Sequence, residues 1–179
     1  RRDAPLGMLE YLYANGCPWD TLTTDAAVAS GRLEVVQYLH ERGCPWNEFA
    51  AKTEAEIGRL DMVQYLSERK CPWDGQAHAT AAEGGHLEIL RYLYQRGCHL
   101  DDRAFVSAAT CGQLEAAEYV YARGSGHHVR SPRALISAAA GGHLAVVKFV
   151  HVHEFALTVD AFVAAAEGGH LEVVKYLHE

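Results

Sequence analysis

No run of lysine and arginine interrupts this sequence of 179 residues. Its sixteen basic side chains are outnumbered by twenty-three acidic ones, for a formal charge of -7. Binding nucleic acid through its phosphates needs clustered cations, so no nucleic-acid partner is expected. No apolar stretch approaches the roughly 18 residues of a membrane span, and no membrane partner is expected either. The five cysteines include no Cys-x-x-Cys pair of the kind that begins a zinc site. A glycine-rich phosphate loop, a nucleophile elbow and a His-Glu-x-x-His helix are all missing. No cofactor, no metal and no catalytic residue is therefore assigned, and an enzyme is not expected. There is no methionine or signal-like apolar segment at Arg1, Arg2 and Asp3, and the pattern described next is entered part-way through a unit. The expectation is a piece of a longer protein.

What the sequence does hold is an apolar content near half with 22% charged residues, ordinary for a folded chain, and a repeat. Gly85-His86-Leu87-Glu88-Ile89-Leu90-Arg91-Tyr92-Leu93 has counterparts beginning at Gly31, Gly58, Gly112, Gly142 and Gly169, in steps of 27, 27, 27, 30 and 27 residues. A fixed period in this range marks a stack of small units, none of which buries its apolar face alone. The units run 17–43, 44–70, 71–97, 98–124, 125–154 and 155–179, behind a partial repeat at 1–16, and are read as one domain, 1–179. In that partial repeat Leu6, Met8, Leu9, Tyr11 and Leu12 stand where Leu33, Val35, Val36, Tyr38 and Leu39 stand one unit on. They predict the second helix of a pair.

Each full unit reads as two short helices. Eleven residues before the landmark glycine stand Asp20, Asn47, Asp74, Asp101, Ser131 and Thr158, all able to accept from the free amides of a first helical turn. Pro132 follows Ser131 at the position where proline suits a helix start. The three extra residues of the fifth unit therefore fall within 125–130. Small residues recur eight, five and four places before the glycine, as in Ala77, Thr80 and Ala81, and lie on one helix face where neighbours can approach closely. Glu54 alone places a carboxylate on that face, where it must find a partner or reach water.

The second helix carries Glu34, Asp61, Glu88, Glu115 or Glu172 in its first turn, facing the positive end of the helix dipole. Its apolar stripe, Leu87, Leu90 and Leu93 in one copy, has a helical period and predicts the core. Beside it runs an aromatic series, Tyr38, Tyr65, Tyr92, Tyr119, Phe149 and Tyr176, read as ring packing between units, with a ligand-binding stripe as the alternative. Gly16, Gly43, Gly97 and Gly124 predict left-handed closures of the second helix. Lys70 and Glu154 replace glycine there and predict looser or differently shaped ends. Cys-Pro-Trp follows at Cys17, Cys44 and Cys71, a helix stop and apolar plug in a turn too short for a β-hairpin.

The stretch Ala165 to Leu177, Ala-Ala-Glu-Gly-Gly-His-Leu-Glu-Val-Val-Lys-Tyr-Leu, is similar to the helix-turn-helix core of ankyrin repeats, and the resemblance covers essentially the whole chain. It departs from that family in its period of 27 rather than about 33 residues. It also lacks the Thr-Pro-Leu-His opening and the β-turn finger, with Cys-Pro-Trp-Asp in their place. Units this short resemble those of large arrays in protists and giant DNA viruses. The resemblance implies an all-α helix-turn-helix solenoid of about six helix pairs plus a leading helix. Such a protein binds other proteins on a concave, non-catalytic surface.

Cys17, Cys44, Cys71 and Cys98, one per unit and about 10 Å apart in a stack, are too far apart for disulfides. Reduced, core-packed thiols are expected in an intracellular protein, cytoplasmic or nuclear. His86, His143 and His170 share a position with Arg32, Arg59 and Gln113, which marks a polar helix-start residue. His127, His128, His151 and His153 are the one local concentration of histidines, where a zinc site remains open.

A partner is expected on the first-helix face, at positions nine, six and two before the glycine, which face away from the small-residue stripe and vary most among copies. The residues proposed to bind are Leu22, Asp25, Phe49, Lys52, Gln76, Glu83, Arg103, Val106, Arg133 and Asp160. Phe49 and Leu22 offer apolar anchors and Arg103 and Arg133 adjacent cations, so the expected partner is an acidic, partly apolar peptide or protein surface, and the chain a monomer. The alternative function is a structural spacer or regulatory arm for a domain outside this sequence.

Overall fold

The computed structural model describes residues 4–46, 48–71, 76–124, 131–153 and 158–178. Among them are thirteen α-helices and no strand. The chain divides into two compact units, Arg1–Asp74 and Gly75–Glu179.

In the first unit, α1 (Ala4–Ala14) is followed by the pairs α2 (Thr21–Ala29) with α3 (Leu33–Glu41) and α4 (Glu48–Ile57) with α5 (Leu60–Glu68). First helices lie on first helices, α2 against α4, and second on second, α1 against α3. The expected start signal operates at Asp20, whose side chain accepts from the Thr23 amide at 3.0 Å while Thr23 Oγ1 accepts from the Asp20 amide. This reciprocal arrangement satisfies two donors at a helix start. The core joins Val35, Val36 and Leu39 to Met62, Tyr65 and Leu66, with Ala50, Ala51 and Cys44 packed among them.

The second unit holds α6 (Ala77–Glu83) with α7 (Leu87–Gln95), α8 (Asp102–Thr110) with α9 (Leu114–Arg123), α10 (Pro132–Ala140) with α11 (Leu144–Val152), and α12 (Val159–Glu167) with α13 (Leu171–His178). Here α6, α8, α10 and α12 pack in succession, as do α7 with α9, α9 with α11 and α11 with α13. Asp101, Ser131 and Thr158 cap their helices as the spacing requires. Asn47 and Asp74 lie outside the described residues, and α6 begins late, at Ala77, with no side-chain cap from Gln76. In this unit the small face is buried at Ala77, Ala81, Ala104, Ala108, Ala134, Ala138, Ala161 and Ala165 and half-buried at Ser107, Ser137 and Ala164.

The leucine stripe needs correction. Ile89, Leu90 and Leu93 are buried, as are Val146, Val147 and Val150 in α11, but Leu87 is only half-buried and its counterpart Leu171 is 60% exposed. At 100° per residue, Leu87 stands well over 90° from the centre of the Ile89, Leu90 and Leu93 face. It flanks the groove between α7 and α9 instead. The core therefore runs through positions four, five and eight after the landmark glycine.

Two turn expectations change as well. Lys70 adopts the left-handed conformation itself, with φ of 59°. Its amide reaches Ser67 O at 3.1 Å and the Cys71 amide reaches Leu66 O at 3.0 Å, matching the closure at Gly43 and Cys44. The turn keeps its shape because Cys71, buried at 2% exposure, anchors the chain beyond it, and the lysine bears the steric strain. Gly124 departs in the other direction: with φ of -67° and ψ of 154° it is extended, not left-handed, and in sequence it precedes the insertion at 125–130 rather than a cysteine. Glu154 and residues 125–130 lie outside the described residues.

The polar residue after the landmark glycine binds the preceding unit rather than only starting a helix. His143 Nε2 donates to Thr110 O at 2.9 Å and His170 Nε2 to Ala140 O at 2.8 Å, while Arg59 donates to Val28 O and Ala29 O at 3.4 Å. The last carbonyls of a helix have no partner within it, and at α2, α8 and α10 this side chain supplies one. A β-carbon on Gly112 would strike the His143 ring, and one on Gly142 the His170 ring. The glycine is thus required twice, for its positive φ of 70° or 72° and for the space the next unit's clamp occupies.

The aromatic series packs between units. Tyr119 meets Tyr94 of the preceding unit at 6.4 Å and Phe149 meets Tyr121 at 5.6 Å between ring centroids, while Trp19 against Tyr38 and Trp46 against Tyr65 pack within one unit. An arginine four residues on covers the same ring: Arg42 over Tyr38, Arg69 over Tyr65, Arg96 over Tyr92 and Arg123 over Tyr119, at 4.6 to 5.9 Å. At the fifth copy His153 takes the arginine's place against Phe149, at 4.3 Å.

Candidate protein-binding face

The outer rows of the proposed face, nine and two places before the landmark glycine, are solvent-exposed at every described position. Leu22 is 71% exposed, and Ala29, Glu56, Gln76, Glu83, Arg103, Thr110, Arg133, Ala140, Asp160 and Glu167 are exposed with it. The middle row sits deeper because it lies between neighbouring first helices. Asp25, Lys52, Val106 and Ile136 are half-buried, Val163 is 44% exposed, and Ala79, expected at the surface, is buried. Ala79 packs under because α6 lies against α8 and a methyl group cannot reach out of the seam. Phe49 belongs to α4, but its side chain lies outside the described ones.

Within the second unit, Arg103 on α8 and Arg133 on α10 stand on helices in direct contact, and Glu83, Asp160 and Glu167 flank them on α6 and α12. The surface is a pair of cations between acids, with Val106 and Ile136 as the apolar floor. Its backbone edge is tied down, since the His143 and His170 clamps hold the carbonyls of Thr110 and Ala140. Rigid scaffolding under variable, exposed side chains is the arrangement from which binding surfaces are commonly built.

Glu54 on α4 is fully buried, and only Arg59 compensates it, with Nε 3.2 Å from Oε2. It reaches no water, contrary to one of the two outcomes its sequence position allowed. Burial outweighs Arg59 and pushes the carboxyl up to about 7, with Asp61 adding to the rise.

The thiol expectation holds only in part. All five cysteines are free, but Cys44 and Cys71 alone are core-packed, and burial pushes the Cys71 thiol up to about 11. Cys98 is half-buried, and Cys17 and Cys111 are exposed. Cys44 is covered by Thr24, twenty residues earlier, at 3.1 Å. Cys111 lies in a different turn, beyond α8.

Among the described residues no group of three or more histidine, cysteine or acidic side chains could hold a metal ion. His151 Nδ1 bonds Tyr176 Oη and His153 Nδ1 bonds Phe149 O, both at 2.8 Å. His127 and His128 lie outside the described residues. No helix among the described residues is long and apolar enough to cross a membrane.

Cavities elsewhere are open grooves. One of 580 Å³ in the first unit is lined by Met8, Leu9, Ala26, Val35 and Leu39, and one of 430 Å³ between α7 and α9 by Leu87, Arg91, Glu115, Glu118 and Tyr119. Sequence reasoning passed over His78. Its signal was the break in a series seven places before the glycine, where the other copies hold Thr24, Ala51, Phe105, Leu135 and Phe162.

Compared with models of known protein families and with curated proteins, the chain matches none of either.

Proposed function

We propose that the chain is an ankyrin-like helix-turn-helix solenoid that acts as a non-catalytic protein-interaction module in an intracellular compartment. Its partner docks on the first-helix face, and the partner surface is acidic and partly apolar. The observation that supports this reading most is the contrast within one helix: the position four before the landmark glycine is alanine in every copy but one and buried in all six, whereas the outer rows change from copy to copy and are exposed. Arg103 and Arg133 beside Val106 and Ile136 supply the cations and apolar floor that such a partner would meet. Five free thiols support a reducing surrounding.

The test is a pull-down with the whole chain, followed by titration of the recovered partner against the double variant Arg103→Glu with Arg133→Glu. Affinity should fall about tenfold or more while the melting temperature holds, both residues being exposed. Unchanged affinity in this variant, with loss on changing Gln37 and Arg91 of the second helices, would place the site on the opposite face and refute the proposal.

A further inference from the structure

The -Cys-His-Leu-Asp- turn at 98–101 and α6 bring three side chains together that no other unit combines. His78, 5% exposed, sits on the inner side of α6. Its Nε2 donates to Asp101 Oδ1 at 2.9 Å, and its Nδ1 lies 3.7 Å from Cys98 Sγ. Asp101 is held in turn by the amides of Arg103 and Ala104 at 3.0 and 3.4 Å, because it caps α8. The charge-assisted bond to Asp101 fixes the tautomer: the proton stays on Nε2, and the Nδ1 lone pair points at the thiol. Position 24, in the first unit, shows what a purely structural residue does in this place. Thr24 bonds both Cys44 Sγ, at 3.1 Å, and Pro45 O, at 2.8 Å, and Cys44 is sealed at 5% exposure. At Cys98 the clamp has become an imidazole, and the residue is half-buried where Cys44 is sealed.

We infer that Cys98 is a reactive thiol, with His78 as its base and Asp101 as the group that orients the base, and that it takes small-molecule disulfides to form a mixed disulfide. A nucleophile within reach of a base, itself oriented by a carboxylate, is the general arrangement of activated side chains. In the step, Nδ1 takes the thiol proton as Sγ attacks one sulfur of the disulfide. The S–Sγ bond forms, the original S–S bond breaks, and the departing thiolate takes the proton from the imidazolium. The disulfide is the oxidant, one of its sulfurs leaves as a thiol, and the site returns to neutral imidazole. Burial and the Asp101 carboxylate both raise the Cys98 thiol, so little thiolate stands ready, and the base acts during the attack. Cys98 is therefore expected to differ from a thiol whose reactivity only tracks its own ionisation. The assigned residue lies five positions before Arg103, at the foot of α8.

The experiment uses oxidised glutathione as the probe on the whole chain and follows each cysteine by peptide mass spectrometry between about pH 6 and 8. Cys98 should react at least as fast as the exposed Cys17 near pH 6.5, and its rate should change little over the range in which Cys17 slows about tenfold per pH unit. His78→Gln should lower the Cys98 rate about tenfold or more and leave Cys17 unchanged. Asp101→Asn, which keeps the helix cap, should lower it less. Should His78→Gln fail to fold, the unaltered chain's two pH profiles still decide. Cys98 slowing in parallel with Cys17 would overturn the inference, as would an unchanged Cys98 rate in a folded His78→Gln variant whose only effect is a lower melting temperature.

Discussion

Replacing Glu54 with glutamine tests the balance between burial and pairing in the first unit. The carboxyl is wholly enclosed and titrates near 7, against an ordinary value of 4.5, because desolvation outweighs the Arg59 guanidinium 3.2 Å away. The sign follows from proton counts. Between 4.5 and 7 the folded chain holds this proton and the open chain has released it, so stability falls as pH rises through that window. Below it both states are protonated and above it both are ionised, and the slope from this group vanishes. At about 1.4 kcal/mol per pH unit, the ionised carboxylate costs the fold about 3 kcal/mol once the solution is above about pH 8. Glutamine keeps the shape and removes the titration. Urea unfolding of both proteins at several pH values should show the variant gaining on the original by about 3 kcal/mol between about pH 4.5 and 8, with other titrating groups cancelling in the difference. A flat difference would show that Glu54 keeps an ordinary pKa. A difference that grows against the variant would show that the Arg59 pair dominates and that glutamine strands a guanidinium.

Other outcomes follow from the same packing. Leu90→Ala should cost about 2–5 kcal/mol and Leu87→Ala about 1 kcal/mol or less; equal losses in urea would restore the stripe that the structure displaces. Lys70→Gly should stabilise by about 1 kcal/mol by relieving a left-handed lysine, read as a higher denaturation midpoint at unchanged slope; a lower midpoint would mean that the side chain carries an interaction outweighing the strain. His143→Ala should destabilise by about 1 kcal/mol through the loss of its bond to Thr110 O, and an unchanged midpoint would leave the clamp without energetic weight.

The helices themselves were legible from the residues because their signals are local and repeated. Asp20, Asp101, Ser131 and Thr158 cap the helices that the spacing assigned to them. The small-residue face is buried at the row four before the glycine but only half-buried at Ser107, Ser137 and Ala164 and exposed at Ala26, and the landmark glycines turn with positive φ. The outer rows of the candidate face were legible too, since positions that vary while their neighbours hold steady are those that solvent reaches. Periodicity could not say which side of the second helix the next unit would cover, and that contact buried Ile89 and Leu90 while leaving Leu87 at a groove. Nor could it show that His143 and His170 bond carbonyls some thirty residues earlier, that Lys70 would accept a glycine's conformation, or that Glu54 would find Arg59 yet still be raised. His78, Cys98 and Asp101 occur together once, so no repetition marked them. Local chemistry sets where helices start and stop; burial, pairing and the choice of tautomer depend on which surfaces meet, and only the tertiary structure brings those surfaces together.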